Sequence, residues 1–160
     1  MTYNGKRPEQ GWSLHMTGGW TAQLERVRRW HARLANQVQP VERYDDLYAF
    51  FENAFHLRDW LKDTNAVSQA DLMSLFDENV EMRLCRDLAN AHKHHSLRDP
   101  SLPAPPSEAR EYAPATGKLG NGEALVILSG GVKYDAFELA DRIMALWGRF
   151  IDSKVRTDAA

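Results

Sequence analysis

The most regular alternation of apolar and polar positions in the chain lies between about 41 and 63. Tyr44, Leu47, Phe51, Ala54, Phe55 and Leu61 recur at helical spacing, and Tyr48, Phe50 and Leu57 widen that face. The opposite side collects Asp45, Glu52, His56, Asp59 and Asp63. The pattern predicts a long amphipathic helix. An earlier helix is expected over about 22–38, with Leu24, Val27, Trp30 or His31, and Leu34 in its apolar row, Thr21 as N-cap and Pro40 as its end. Asp63-Thr64-Asn65 breaks the second helix, and Ser68-Gln69-Ala70-Asp71 reads as a capping box that restarts a short helix to about Asp77. A fourth helix is expected from about Glu78 to His95. No proline stands between Pro40 and Pro100, which agrees with helix throughout.

The pattern then changes. Residues 98–122 hold five prolines (Pro100, Pro103, Pro105, Pro106 and Pro114) with Gly117, Gly120 and Gly122, and predict a long loop. Ala124–Leu128 reads as a strand, Gly130-Gly131 as a turn, and Val132-Lys133-Tyr134 as the returning strand. Asp135-Ala136-Phe137-Glu138 is a second capping box. It opens a last helix, about 136–152, whose apolar face is Phe137, Ala140, Ile143, Met144, Trp147, Phe150 and Ile151. The expected fold is mainly α: an antiparallel bundle of four main helices and one short one, with a small β-hairpin before the C-terminal helix. Residues 1–20 are expected to form a flexible arm, pinned by Trp12 and Trp20. Residues 21–153 form a single domain and 154–160 a tail.

Composition narrows the setting. A chain of 160 residues with 43% hydrophobic and 26% charged residues has enough apolar surface to form a core. One cysteine, Cys85, excludes an internal disulfide and fits a reducing cytoplasm. The longest apolar run, Ala124–Leu128, is too short to cross a bilayer, and the first residues do not resemble a signal peptide. Net charge is −2, so any nucleic-acid surface must be local.

Candidate chemistry concentrates in Leu84-Cys85-Arg86-Asp87-Leu88-Ala89-Asn90-Ala91-His92-Lys93-His94-His95. On a helical wheel of about 100° per residue, Val80, Leu84, Cys85, Leu88, Ala89 and Ala91 share one side. Arg83, Arg86, Asp87, Asn90, Lys93 and His94 share the other. His92 falls on the apolar side, either as a core histidine or as an inward catalytic group. In the first helix Arg26, Arg29 and Arg33 form a basic stripe, which suits a solvated face or phosphate contacts, with Lys93 as a further RNA contact.

Arg86 and His92, with five residues between them, resemble the Arg-x(4–6)-His motif of the HEPN superfamily, and Asp87 after the arginine suits that pattern. The resemblance implies a small all-α domain and a metal-independent ribonuclease of toxin–antitoxin or phage-defence type. It also implies a homodimer with a shared cleft, RNA as substrate, and an antitoxin or other protein as partner. His92 would act as base or acid, Arg86 would clamp the phosphate, and Asp87 or Asn90 would orient them. Arg86 and His92 lie about 120° apart on a straight helix, so His94, which shares a face with Arg86 and Asn90, is the alternative histidine. The segments His56-Leu57-Arg58-Asp59-Trp60 and Asp87-Leu88-Ala89-Asn90-x-x-Lys93-His94 are also similar to small uncharacterised bacterial helical proteins, a likeness that implies no known activity.

Two other readings stand beside this one. The first is a non-catalytic helical module for protein interaction or oligomerisation, suggested by five tryptophans and the proline-rich loop. The second is a metal site using Glu52, His56 and Asp59 with His94 or Asp87. No phosphate-binding glycine loop, Cys-x-x-Cys pair or nucleophile elbow occurs, and no cofactor is expected. The second and fourth helices are expected to pack with their polar edges adjacent, which would bring His56 and Asp59 near the Arg86–His94 row.

Overall fold

A helix that is apolar on most of its circumference needs neighbours on most of its sides. The second helix is of this kind and organises the protein. The computed structural model describes residues 18–36, 40–94, 100–103, 106–112 and 123–155. The chain order is α1 (Gly19–Asn36), α2 (Pro40–Asp63), α3 (Gln69–Glu78), α4 (Val80–His94), β1 (Ser107–Tyr112), β2 (Glu123–Ser129), β3 (Val132–Asp135) and α5 (Ala136–Lys154). Leu47, Phe50, Phe51, Ala54, Leu57 and Leu61 of α2 are essentially sealed from solvent, and α1, α4 and α5 pack around them. The fold is thus mainly helical, with the β2–β3 hairpin directly before the last helix, as the pattern predicts.

Helix boundaries follow local chemistry. Pro40 does not end α1 but begins α2; proline in a first turn lacks only an N–H that would have no helical partner there. Thr21 lies inside α1 rather than capping it, and its hydroxyl donates to the Gly18 carbonyl at 2.6 Å. After α2, Asn65 takes φ +53°, a conformation asparagine tolerates better than most residues. Ser68 then caps α3: its Oγ accepts from the Asp71 amide at 3.1 Å and donates to the Asp71 carboxylate at 2.6 Å. The extended Asn79 separates α3 from α4, and its Nδ2 donates to the Leu75 carbonyl. Asp135 caps α5 by accepting from the amides of Phe137 and Glu138, each at 3.0 Å.

Two partly buried polar clasps fix α1 on α2. Gln23 Nε2 donates to the Asn53 carbonyl at 3.0 Å, and Arg33 reaches the buried Asp46 at 3.3 Å. A chain of aromatic edges, Phe55–Phe76–Trp147–Phe150, with ring centroids about 6 Å apart, ties α2, α3 and α5 together. Lys154 at the end of α5 pairs with Asp71 at the start of α3 (3.0 Å).

The expected loop over 98–122 carries a strand. β1 runs antiparallel to β2, from Ser107 opposite Leu128 to Tyr112 opposite Glu123, giving a three-stranded sheet in the order β1-β2-β3. Ser-Glu-Ala-Arg-Glu-Tyr has little strand propensity of its own, and its pairing comes from the ladder that β2 offers. Gly130 and Gly131 form the β2–β3 turn with φ +58° and +78°, the two positive values that a twist-matched two-residue hairpin requires. Trp20 is half-buried against the core and already within α1. Trp12 and the rest of the expected arm to residue 17, and tail residues 156–160, lie outside the described residues.

Truncating Phe50→Ala should cost about 3–5 kcal/mol in urea unfolding, because Phe50 is fully enclosed and its cavity cannot collapse easily. The Ser68 hydroxyl, and after it Lys154, hold the Asp71 carboxyl below its ordinary pKa of 3.8. A depressed folded pKa means that Asp71 stabilises the fold above that value and ceases to as pH falls through the folded pKa. Ser68→Ala should lower the unfolding midpoint at pH 7, and the gap from wild type should narrow below pH about 4 when midpoints are compared across a pH series.

Candidate functional site

α4 is anchored by Met82, Leu84, Cys85, Leu88 and Ala89, all buried, as the wheel predicts. Cys85 Sγ lies 3.5 Å from the Phe51 carbonyl of α2, and burial pushes its thiol pKa far up. A neutral, enclosed thiol is a packing group and not a nucleophile.

The anchoring turns Arg86 toward a pocket of about 320 Å³ between α2, α3 and α4. Arg58, Asp59 and Lys62 of α2 line it on one side, and Leu72, Met73, Phe76 and Asp77 of α3 on another. The polar edges of α2 and α4 are therefore adjacent, with Asp59 and Arg86 in one pocket. His56 does not line the pocket. It stands one turn back on α2, with Nδ1 3.3 Å from Asp59 Oδ2.

The charges in this pocket are unevenly committed. Arg58 donates to Asp59 Oδ1 through Nη2 at 2.9 Å and Nε at 3.1 Å, and its guanidinium lies 4.4 Å from the Phe55 ring centroid and 6.0 Å from that of Phe76. Asp59 is thus shared between Arg58 and His56. Arg86 and Lys62 make no hydrogen bond or ion pair among the described residues. Two cations with unused donors beside a partly apolar wall can receive an anion.

Other expected site residues are placed differently. Asp87 is fully buried, although the wheel put it on the polar side. Its carboxylate accepts from the Ser101 amide at 2.9 and 3.0 Å and from the Ser101 hydroxyl at 2.6 Å. That hydroxyl also lies 3.1 Å from the Arg83 carbonyl oxygen. Asp87 therefore docks the start of the proline-rich segment on α4 and does not face the pocket. Asn90 is half-buried on the polar side, one turn beyond Arg86. The backbone of α4 is helical through His94, while the side chains of His92, Lys93 and His94 lie outside the described residues.

The row Glu52, His56 and Asp59 does not gather into a metal site. Among the described residues no group of three or more His, Cys, Asp or Glu side chains is placed to hold a metal ion. Positions i, i+4 and i+7 spread over about 10 Å of helix, and Asp59 turns toward Arg58. The arginine stripe of α1 is partly engaged. Arg26 donates to Gln23 at 2.7 Å, Arg33 pairs with Asp46 and lies over Trp30, and Arg29 is exposed.

Sequence reasoning passed over Arg58, Lys62 and Met73, which reach the site only because α3 folds across α2 and α4. It also passed over His31 Nε2, which meets Asp141 Oδ1 at 2.7 Å across 110 positions of sequence, at a smaller hollow of about 270 Å³ between α1 and α5. Met73 is among the few large apolar side chains exposed among the described residues, at 56%, a feature that only the folded structure shows.

Asp87→Ala should leave the Ser101 amide without its acceptor, at a cost of about 1–3 kcal/mol. Hydrogen exchange should then become faster at Ser101, while amides in the middle of α2 keep protection relative to global stability. Comparison of the chain with models of protein families, with curated proteins and with solved structures found no match.

Proposed function

We propose that this protein is a HEPN-like, metal-independent endoribonuclease of toxin or phage-defence type, acting in the cytoplasm as a homodimer. The observation that carries the reading is Arg86: a guanidinium with no partner among the described residues, at a pocket shared with Lys62 and Arg58, on the same helix as His92 and His94. RNA cleavage without a metal needs a base for the 2′-hydroxyl proton and a cation for the charge that develops on the phosphorane. Arg86 supplies the cation, and a histidine of α4 supplies the base or acid. Asn90 orients the pair, and the His56–Asp59 couple borders the same groove. Cleavage leaves a 2′,3′-cyclic phosphate and a 5′-hydroxyl. Helical spacing sets positions 86 and 92 about 120° apart, so if His92 is the acting histidine, the one that meets a given arginine is supplied by the second protomer. Arg29, exposed on α1, and Lys93 are further candidates for contact with RNA phosphates.

One observation favours a second reading, a non-catalytic helical module that binds a partner protein, an antitoxin among them, or its own copy. Asp87, the polar neighbour of the motif arginine, is used for packing against Ser101.

The deciding measurement is cleavage of RNA by purified protein in EDTA, wild type against Arg86→Ala, His92→Ala and His94→Ala. Cleavage should survive EDTA and fall at least about 100-fold in Arg86→Ala and in one histidine variant, the scale of losing a charge-stabilising group or an acid–base group. Absence of cleavage by folded wild type gives precedence to the interaction module.

A further inference from the structure

We propose that the pocket between α2, α3 and α4 is a subsite for a single nucleotide, with the phosphate held by Lys62 and Arg86 and the base laid on Met73 and Leu72. The inference extends the reading of this groove as an RNA site and adds what the groove grips beside the bond that is cut.

Three features of the pocket point to this ligand class. The first is charge. Its lining holds Arg58, Lys62 and Arg86 against Asp59 and Asp77. Arg58 and Asp59 neutralise each other at 2.9 Å, which leaves two cations facing one carboxylate. That excess suits a phosphate, and Asp77 is an acceptor for sugar hydroxyls or a base amino group.

The second is the wall. α3 presents Leu72 and Met73 to the same space, and Met73 is 56% exposed while carrying no polar atom that would justify exposure. A thioether in the same pocket as a guanidinium 4.4 Å from the Phe55 ring centroid offers a polarisable surface for a planar ring. A plain anion would gain nothing from that wall, and a purely apolar ligand would leave the two cations unmatched.

The third is size and position. About 320 Å³ lies at the small end of ligand pockets and accommodates one nucleotide rather than an extended strand. Position 92 lies six residues beyond Arg86 on α4, about 9 Å along the helix axis, so the pocket is offset along α4 from the histidine-bearing turn. The offset suits a nucleotide flanking the scissile linkage.

The test is equilibrium titration of the full chain with adenosine 5′-monophosphate, adenosine and inorganic phosphate, followed by NMR or calorimetry. Wild type should bind the monophosphate at least about tenfold more tightly than either adenosine or phosphate, since each part contributes. Lys62→Ala should weaken the monophosphate about tenfold and leave adenosine unchanged. Met73→Ala should weaken the monophosphate and adenosine alike and leave phosphate unchanged. Both side chains are exposed, so neither variant threatens the fold. Inorganic phosphate binding as tightly as the monophosphate would overturn the proposal in favour of a simple anion site. No binding of the monophosphate at about 10 mM would overturn it outright, even if RNA cleavage in EDTA persists. Monophosphate binding with the expected variant pattern supports the subsite even where no cleavage is found, and the ribonuclease reading then fails alone.

Discussion

The structure depends on the burial of α2. Phe50 and Phe51 point in directions about 100° apart, and Leu47, Ala54, Leu57 and Leu61 fill the arc around them, so no single neighbour can cover the helix. Three helices are needed, and α1, α4 and α5 supply them. Apolar area removed from water is the main favourable term in folding, and here it dictates the packing partners of every other long helix. The accessible side of α2 carries Asp45, His56, Lys62 and Asp63, with Asp59 half-buried beside them. The pocket lies on a part of α2 that the core does not need.

α4 responds to the same demand. Its apolar side seats Leu84, Cys85 and Leu88 against the core, which rotates Arg86 onto the exposed strip of α2. Asp87 is carried inward by the same rotation. A carboxylate removed from water is costly unless its oxygens are bonded, and Ser101 meets that need with its amide and its hydroxyl. The return of the chain after α4 is thus linked to the orientation of Arg86 through one buried acid. A residue that looks catalytic by type acts in packing, and the guanidinium beside it has no partner among the described residues.

The legibility of the sequence followed the same division. All five helices were readable, because apolar spacing and the Ser68 and Asp135 caps are local signals. The β2–β3 hairpin was readable from Gly130-Gly131 between apolar runs. β1 was not, since Ser107–Tyr112 has no strand pattern and exists through its partner. Of the site, the adjacency of the α2 and α4 edges was legible from two helical wheels. The row of Glu52, His56 and Asp59 forms no metal-holding group among the described residues, because Asp59 turns to Arg58 and the row spreads along the helix axis.

By itself, then, the sequence determined the helical class, the element boundaries to within a few residues, and the side of each helix that turns inward. These depend on periods and caps, which act over one or two turns. Tertiary structure alone decided that α3 closes a pocket over Lys62 and Arg86, that Asp87 belongs to Ser101, and that His31 meets Asp141. Those outcomes depend on how separate elements rotate and approach one another as the core fills, and no local pattern encodes a rotation that only the packed neighbours can set.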